Sequence, residues 1–323
     1  MSKYRLERAI LDENWDSFIG SSPSGTIFSN SYFLKLFSIN IHAYYCYKNN
    51  EIMGAVLCVT SPCERKIIGH DYIIHDGLIY KDLSYLNRSQ RYSEEYKIQE
   101  FVSNKLPTIY KCINFKLSTY FVDIRAFQWF NYHNDGLKYQ IKASYTSLVD
   151  ISDFPYEKDL NKISIYKNAS SARRQQIRYA IKKQVSTTLT NDADSFVSFY
   201  NKTMINQNIF LPSSKLNEIK FLIKELLKAD LCIMVKSSTL QGVVGSMAVF
   251  LLDDKKSYYL FGANDPKFRD QHTGTAILWD SFYILSERGY NTIDLEGINS
   301  PNRGWFKTSF GGIIEPYYQV SYG

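Results

Sequence analysis

Between residues 195 and 295 the apolar residues pass from a helical period to short strand-like runs and back, and this order limits the fold more than any single motif. Phe196, Phe199, Tyr200 and Met204 recur at helical spacing, and Leu216, Ile219, Leu222, Ile223, Leu226 and Leu227 mark one apolar face behind a Leu211-Pro212-Ser213-Ser214 start signal. Strand-like runs follow at 231–235, 243–252 and 257–261, separated by the turn signals Gln241-Gly242 and Asp253-Asp254. A helix over about 275–288, closed by Gly289, and a short strand at 292–295 complete the series.

The first half repeats that order more faintly. Helical patterns around Trp15 and over 31–37 precede strands at 42–47 and 53–60, which an Asn49-Asn50 turn joins. Strand-like apolar segments over 67–80, a helix over about 89–104 and a strand at 111–117 follow. The expectation is an α/β protein of two mixed-sheet units, 1–145 and 146–323, joined near 141–151 and sharing a central cleft as the default ligand site.

Several classes of function fall away. A net charge of +6 over 323 residues is too mild to mark a DNA-binding protein, and it suits anionic small ligands equally well. Cys46, Cys58, Cys63, Cys112 and Cys232 form no C-x-x-C pair, and the histidines form no metal-like motif, so reduced thiols and no metal are expected. Residues 1–18 lack the apolar core of a signal peptide, and the apolar run 243–252 is too short to span a bilayer. A cytoplasmic protein is expected, with any membrane contact peripheral. No G-x-S-x-G elbow or Walker loop is present, which removes hydrolase and NTPase readings.

The sharpest motif is Gln271-His272-Thr273-Gly274-Thr275-Ala276, lying after a strand and opening a helix. It fits Q-x-x-G-x-A, in which a glycine lets the backbone approach a ligand and free helix amides hold a pyrophosphate. This is how the GNAT superfamily binds CoA, so Gln271, Gly274, Thr275 and Ala276 are candidate cofactor contacts; a glycine easing a tight turn explains the motif equally well. Asp294 and Glu296, two apart on the expected strand, share a face, and Glu296 before Gly297 is the better placed general base for an acceptor amine. A purely structural carboxylate is the alternative. Tyr258 and Tyr259 point to opposite sheet faces, and Tyr259 is taken as the ligand-side residue. Arg174, Arg178 and Lys182 form one helical stripe that could clamp a pyrophosphate or simply face solvent. The His70-Asp71 and His75-Asp76 pairs suit strand-end hydrogen bonding or an acceptor loop.

Larger segments carry a family resemblance. Tyr258-Tyr259-Leu260-Phe261-Gly262-Ala263, Asp294-Leu295-Glu296-Gly297, Phe306-Lys307, Phe310-Gly311-Gly312 and Pro316-Tyr317-Tyr318 together resemble the Fem-type (FemAB-like) peptidyl and aminoacyl transferases. Those are double-GNAT proteins that add amino acids to peptidoglycan precursors, and the broader family includes enzymes encoded with surface-polysaccharide genes. Ser171 to Arg178 is similar to the basic helix opening their second half, and Asp123 to Trp129 to their inter-domain segment, which makes Asp123 and Arg125 candidate substrate contacts beside Arg174 and Arg178. The resemblance gives Lys307, expected in a loop, the role of binding phosphate or stabilising an oxyanion. Two family features have no counterpart: a long helical hairpin in the second half, and an aromatic-to-lysine spacing in the first, where Tyr32 is followed four residues on by Leu36 and Lys35 is one place off.

The resemblance implies an acyl- or aminoacyltransferase that makes an amide on a cell-envelope precursor, with the acceptor on the first half and the donor on the second. The leading expectation is acyl-CoA-dependent N-acylation of a nucleotide- or lipid-linked amino sugar for surface polysaccharide such as lipopolysaccharide. The alternatives are tRNA-dependent aminoacyl transfer to a peptidoglycan precursor, and a catalytically inactive binding scaffold.

Overall fold

The computed structural model describes residues 3–323, which cluster into two compact units, one of residues up to Ser144 plus Pro316–Gly323 and one of Tyr145–Glu315. Among the described residues no helix is long and apolar enough to cross a membrane.

The first unit opens with β1 (Tyr4–Arg8), α1 (Glu13–Ser21), α2 (Ser31–Lys35), β2 (Asn40–Lys48), β3 (Glu51–Thr60) and β4 (Gly77–Tyr80). These strands form an antiparallel sheet in the order β1-β2-β3-β4. The Asn49-Asn50 turn joins β2 to β3, with Asn49 in the left-handed region at φ 56° that asparagine tolerates in tight hairpins. The long helix α3 (Arg88–Lys105) starts at an Asn87–Gln90 capping box. Its Ile98 and Val102 enter a core with Tyr44, Val56, Leu78 and Phe115. Then come β5 (Ile113–Lys116), the short α4 (Arg125–Gln128) and the start of β6 (Gln140–Asp150).

The second unit continues with α5 (Ser164–Asn168), α6 (Ser171–Lys182), β7 (Ser186–Leu189), α7 (Ala193–Ile205), α8 (Ser213–Lys228), β8 (Cys232–Ser238), β9 (Val244–Leu252), β10 (Ser257–Asn264), α9 (Thr273–Glu287), β11 (Thr292–Asp294) and α10 (Pro301–Thr308). The chain ends in β12 (Ile313–Tyr322), whose residues 319–322 pair antiparallel with β5 of the first unit.

Strand order in the second unit is β6-β11-β10-β9-β8-β7. β8, β9 and β10 form an antiparallel meander, whereas β11 lies parallel to β10 because α9 carries the chain across between them. The face of α9 bearing Leu278, Phe282 and Leu285 is fully buried against Val235, Phe250 and Ile293, each such side chain contributing about 1.5–3 kcal/mol. Gly289 at φ 90°, donating its amide to the Ser286 carbonyl at 2.9 Å, stops the helix and turns the chain toward β11.

Candidate active site

β10 and β11 stay paired for only two residue pairs, Ser257 with Ile293 and Tyr258 with Asp294. Beyond that point β10 runs on to Asn264 along β9, kinked by a bulge between Tyr259 and Phe261. The other chain leaves: the Leu295 amide turns to the Ser147 carbonyl at 2.9 Å, and Glu296 and Gly297 both adopt φ 50°. Two parallel strands thus separate at their C-terminal ends, where ligands characteristically bind in α/β folds. The left-handed conformation at Glu296, costing a non-glycine residue about 1–2 kcal/mol, keeps this opening in place.

Three residues expected to act in catalysis meet at the opening. Lys307 donates from Nζ to the Glu296 carbonyl at 2.6 Å and lies 4.8 Å over the Tyr259 ring. Its ammonium end is enclosed although the side chain as a whole is half-buried, and desolvation lowers its pKa from 10.5 to about 8 against the opposing pull of Glu296 and Asp294. Tyr259 is buried, and burial raises its phenol well above the ordinary range. Its hydroxyl packs over Gly262, where a Cβ would come within 1.7 Å of it. Glu296 is buried as well.

The local structure differs from expectation at two of these residues. Lys307 belongs to α10, not to a loop: Pro301 starts the helix, and Gly304 lets it pass the Ile298 carbonyl, which a Cβ would meet at 2.6 Å. Glu296 is not on a strand, because β11 ends at Asp294. The two carboxylates have separate tasks in consequence. Asp294, fully buried, accepts from the Thr146 hydroxyl, from the Glu296 amide at 3.0 Å and from Lys256 at 3.4 Å, so it fixes the turn that presents Glu296.

Residues that sequence reasoning passed over complete the surroundings. Arg303, one turn before Lys307, donates to Gln207 at 3.2 Å and helps depress the Lys307 ammonium. Tyr200, on α7, packs edge-on to Phe261 at 5.7 Å, and its field raises the Tyr259 phenol further. The helical spacing of Tyr200 had marked it only as a core residue.

The Q-x-x-G-x-A segment opens α9, with Gln271 ending a short 3-10 turn and His272 in the left-handed region at φ 62° without a side-chain cap. Gly274 allows the Asn264 side chain to approach, since a Cβ there would sit 2.8 Å from its Oδ1. Thr275 and Ala276 are buried, and their amides donate to the His272 carbonyl at 3.0 and 2.9 Å while the His272 amide donates to the Arg269 carbonyl at 3.1 Å, so anything the segment offers a ligand is confined to the Thr273–Gly274 backbone.

The Thr275 hydroxyl is held by Arg173 and by Gln176 at 3.1 Å. Arg173, buried, also donates to Ser309 at 2.9 Å and Gln176 at 2.7 Å and stacks 4.4 Å from Phe306 and 4.5 Å from Phe310. It therefore ties the start of α9 to the helix that carries Lys307, and burial lowers its pKa to about 10. The neighbouring basic stripe had drawn attention away from it. Arg174 is half-buried with a long 3.5 Å contact to Ser171, and exposed Arg178 donates to Tyr166 at 2.7 Å. Asp123 and Arg125 belong to the first unit and pair with each other through contacts of 2.8 and 2.6 Å. In the same unit Asp76 is buried, accepts the Lys116 amide at 2.6 Å and is pushed up to about 7 by burial.

No protein-family model and no curated protein matches this chain. Solved structures do. FemX superposes with a TM-score of 0.66 at 13% identity, covering 97% of this chain and 96% of that one. The chain has a FemX-like double GNAT fold. L-PGS from Bacillus licheniformis matches with a TM-score of 0.54 at 9% identity over 95% of this chain and 90% of its own. A tandem GNAT protein from the clavulanic acid biosynthesis pathway matches with a TM-score of 0.51 at 7% identity, over 99% and 97% respectively.

Proposed function

We propose that this FemX-like chain is an acyltransferase that forms an amide on the amino group of a cell-envelope precursor, with the reaction centred on the second unit. The supporting observation is the enclosed Lys307 ammonium, fixed by the Glu296 carbonyl and the Tyr259 ring where β10 and β11 part. An acyl carbonyl held in that opening would be attacked by the acceptor amine, and Lys307 would stabilise the oxyanion that develops, an effect worth roughly 3–4 kcal/mol in comparable sites. Glu296 would take the proton that the ammonium acceptor sheds before attack. No covalent enzyme intermediate is needed, and positioning supplies much of the rate.

For the donor, the Thr273–Gly274 backbone at the start of α9 supports an acyl-CoA, and an amino sugar carried on a nucleotide or lipid is the acceptor that fits this chemistry. Aminoacyl-tRNA with a peptidoglycan precursor is the second reading. It is favoured by the α6 side chains that already occupy the α9 start, where Arg173 and Gln176 hold Thr275 and Tyr179 stacks on His272 at 5.7 Å.

Calorimetric titration with acetyl-CoA and free CoA separates the two. Saturable binding that weakens in Gly274→Leu supports the CoA donor. Absence of binding, combined with turnover of aminoacyl-tRNA that Lys307→Ala and Glu296→Gln abolish, supports the second. Turnover of either donor that both variants leave unchanged refutes the site, and a folded protein that turns over neither is a binding scaffold.

A further inference from the structure

The exposed side of α3 carries an assembly that amide formation leaves unused. Ser89, Tyr92, Ser93 and Tyr96 recur at helical spacing on one face of α3, and with Arg125 and Trp129 they line a cleft of about 590 Å3 within the first unit.

The cleft has a defined chemical character. Tyr92 and Trp129 stand 45% and 47% exposed although each carries an arginine over its ring, Arg91 at 5.5 Å and Arg125 at 5.2 Å, so about half of each aromatic side chain is open to solvent. Arg125 is held rigid: Asp123 grips its guanidinium in a bidentate pair, and the group lies 5.6 Å over Tyr96 and 5.2 Å over Trp129. The pair cancels its own charge while keeping polar edges toward solvent. The remaining lining charge, Arg88, is exposed at the helix start, where water and salt screen it.

Flat apolar rings, a neutralised polar pair and serine hydroxyls one helical turn apart complement a ligand with an apolar C–H face, a rim of hydroxyls and no net charge. A pyranose ring has these properties. A phosphate ligand would need an uncommitted, preorganised cation, and Arg125 is already committed to Asp123. We infer that this cleft binds a neutral saccharide, one sugar face stacked on Trp129 and its hydroxyls bonded to Arg125, which Asp123 holds in place, and to Ser89 and Ser93. The inference stands apart from the transferase reading, because its test measures binding and no turnover.

The test is saturation-transfer NMR and titration of the full chain with chitobiose and maltose, with uridine monophosphate and inorganic phosphate as charged competitors. Saccharide binding weakened on the order of tenfold or more in Trp129→Ala and Tyr92→Ala supports the inference. Both positions are half-exposed, so each variant is expected to keep the wild-type circular dichroism, and Trp129→Phe should restore most of the affinity. Failure of both saccharides to bind at millimolar concentration overturns it, as does saccharide binding that the variants leave unchanged. Saccharide displaced from the cleft by uridine monophosphate or phosphate assigns the site to an anion and overturns it as well.

Discussion

Replacing Lys307 with methionine should change how stability depends on pH more than it changes stability at any one pH. The folded chain holds this amine at about 8 against an ordinary 10.5, so folding disfavours its charged form. At about 1.36 kcal/mol per pH unit the gap corresponds to a penalty of about 3 kcal/mol below pH 8. The sign follows from proton counts: between pH 8 and 10.5 the unfolded chain binds more protons than the folded one, so stability rises with pH and the penalty fades. From pH 7 to 9.5 the wild type should gain roughly 2 kcal/mol that Lys307→Met cannot. At neutral pH the two effects of the substitution oppose each other, since relief of the penalty is offset by loss of the 2.6 Å bond to the Glu296 carbonyl, itself worth about 1–3 kcal/mol. Urea unfolding of both proteins across that pH range is the assay. Parallel stability profiles would refute the argument that the ammonium is enclosed. Transfer activity should fall as pH rises through about 8 if the charged form stabilises the oxyanion.

Two further outcomes follow from close contacts. Gly262→Ala would place a methyl group 1.7 Å from the Tyr259 hydroxyl and drive that ring from beneath Lys307, so transfer should drop at least about tenfold for a stability cost of about 1–3 kcal/mol; unchanged kcat/KM in the folded variant would remove Tyr259 from the site. Asp76→Asn should stabilise the chain at pH 8 and lose that advantage toward pH 5 in denaturant unfolding: with the folded carboxyl at about 7 against an ordinary 3.8, the unfolded chain ionises first as pH rises between the two, a linkage of at most about 4 kcal/mol that burial of the asparagine amide partly offsets.

Burial pattern decided what could be read from the sequence. α8 buries one stripe and announces its helical period, and β9, almost wholly buried, announces itself as an apolar run between turn signals. The edge strands β1 and β7 could not be read, because Tyr4–Arg8 and Ser186–Leu189 are largely exposed and polar or charged, as edge strands must be to resist pairing with other chains. β12 went unread because Pro316 interrupts it and only Tyr317 and Val320 along it are buried, which leaves no clear alternation. At the candidate site, residue types were legible but their backbone was not. The two-residue spacing of Asp294 and Glu296 suggested one strand face, whereas the chain turns left-handed at Glu296, whose amide Asp294 caps. Arg173 was hidden among neighbouring basic residues, and only its packing between Phe306 and Phe310 distinguishes it from the solvated arginines on the same helix.

The pairing of β12 with β5 has a bearing on how the chain folds during synthesis. The second unit is one uninterrupted stretch, Tyr145–Glu315, whereas the first needs Pro316–Gly323 to supply the partner of β5 and to place Val320 in its core. A ribosome makes those eight residues only after the entire second unit has been translated. The usual N-to-C sequence of domain completion is therefore reversed, and the half made first must wait, with an open strand edge and an unfilled core position, for the half made second.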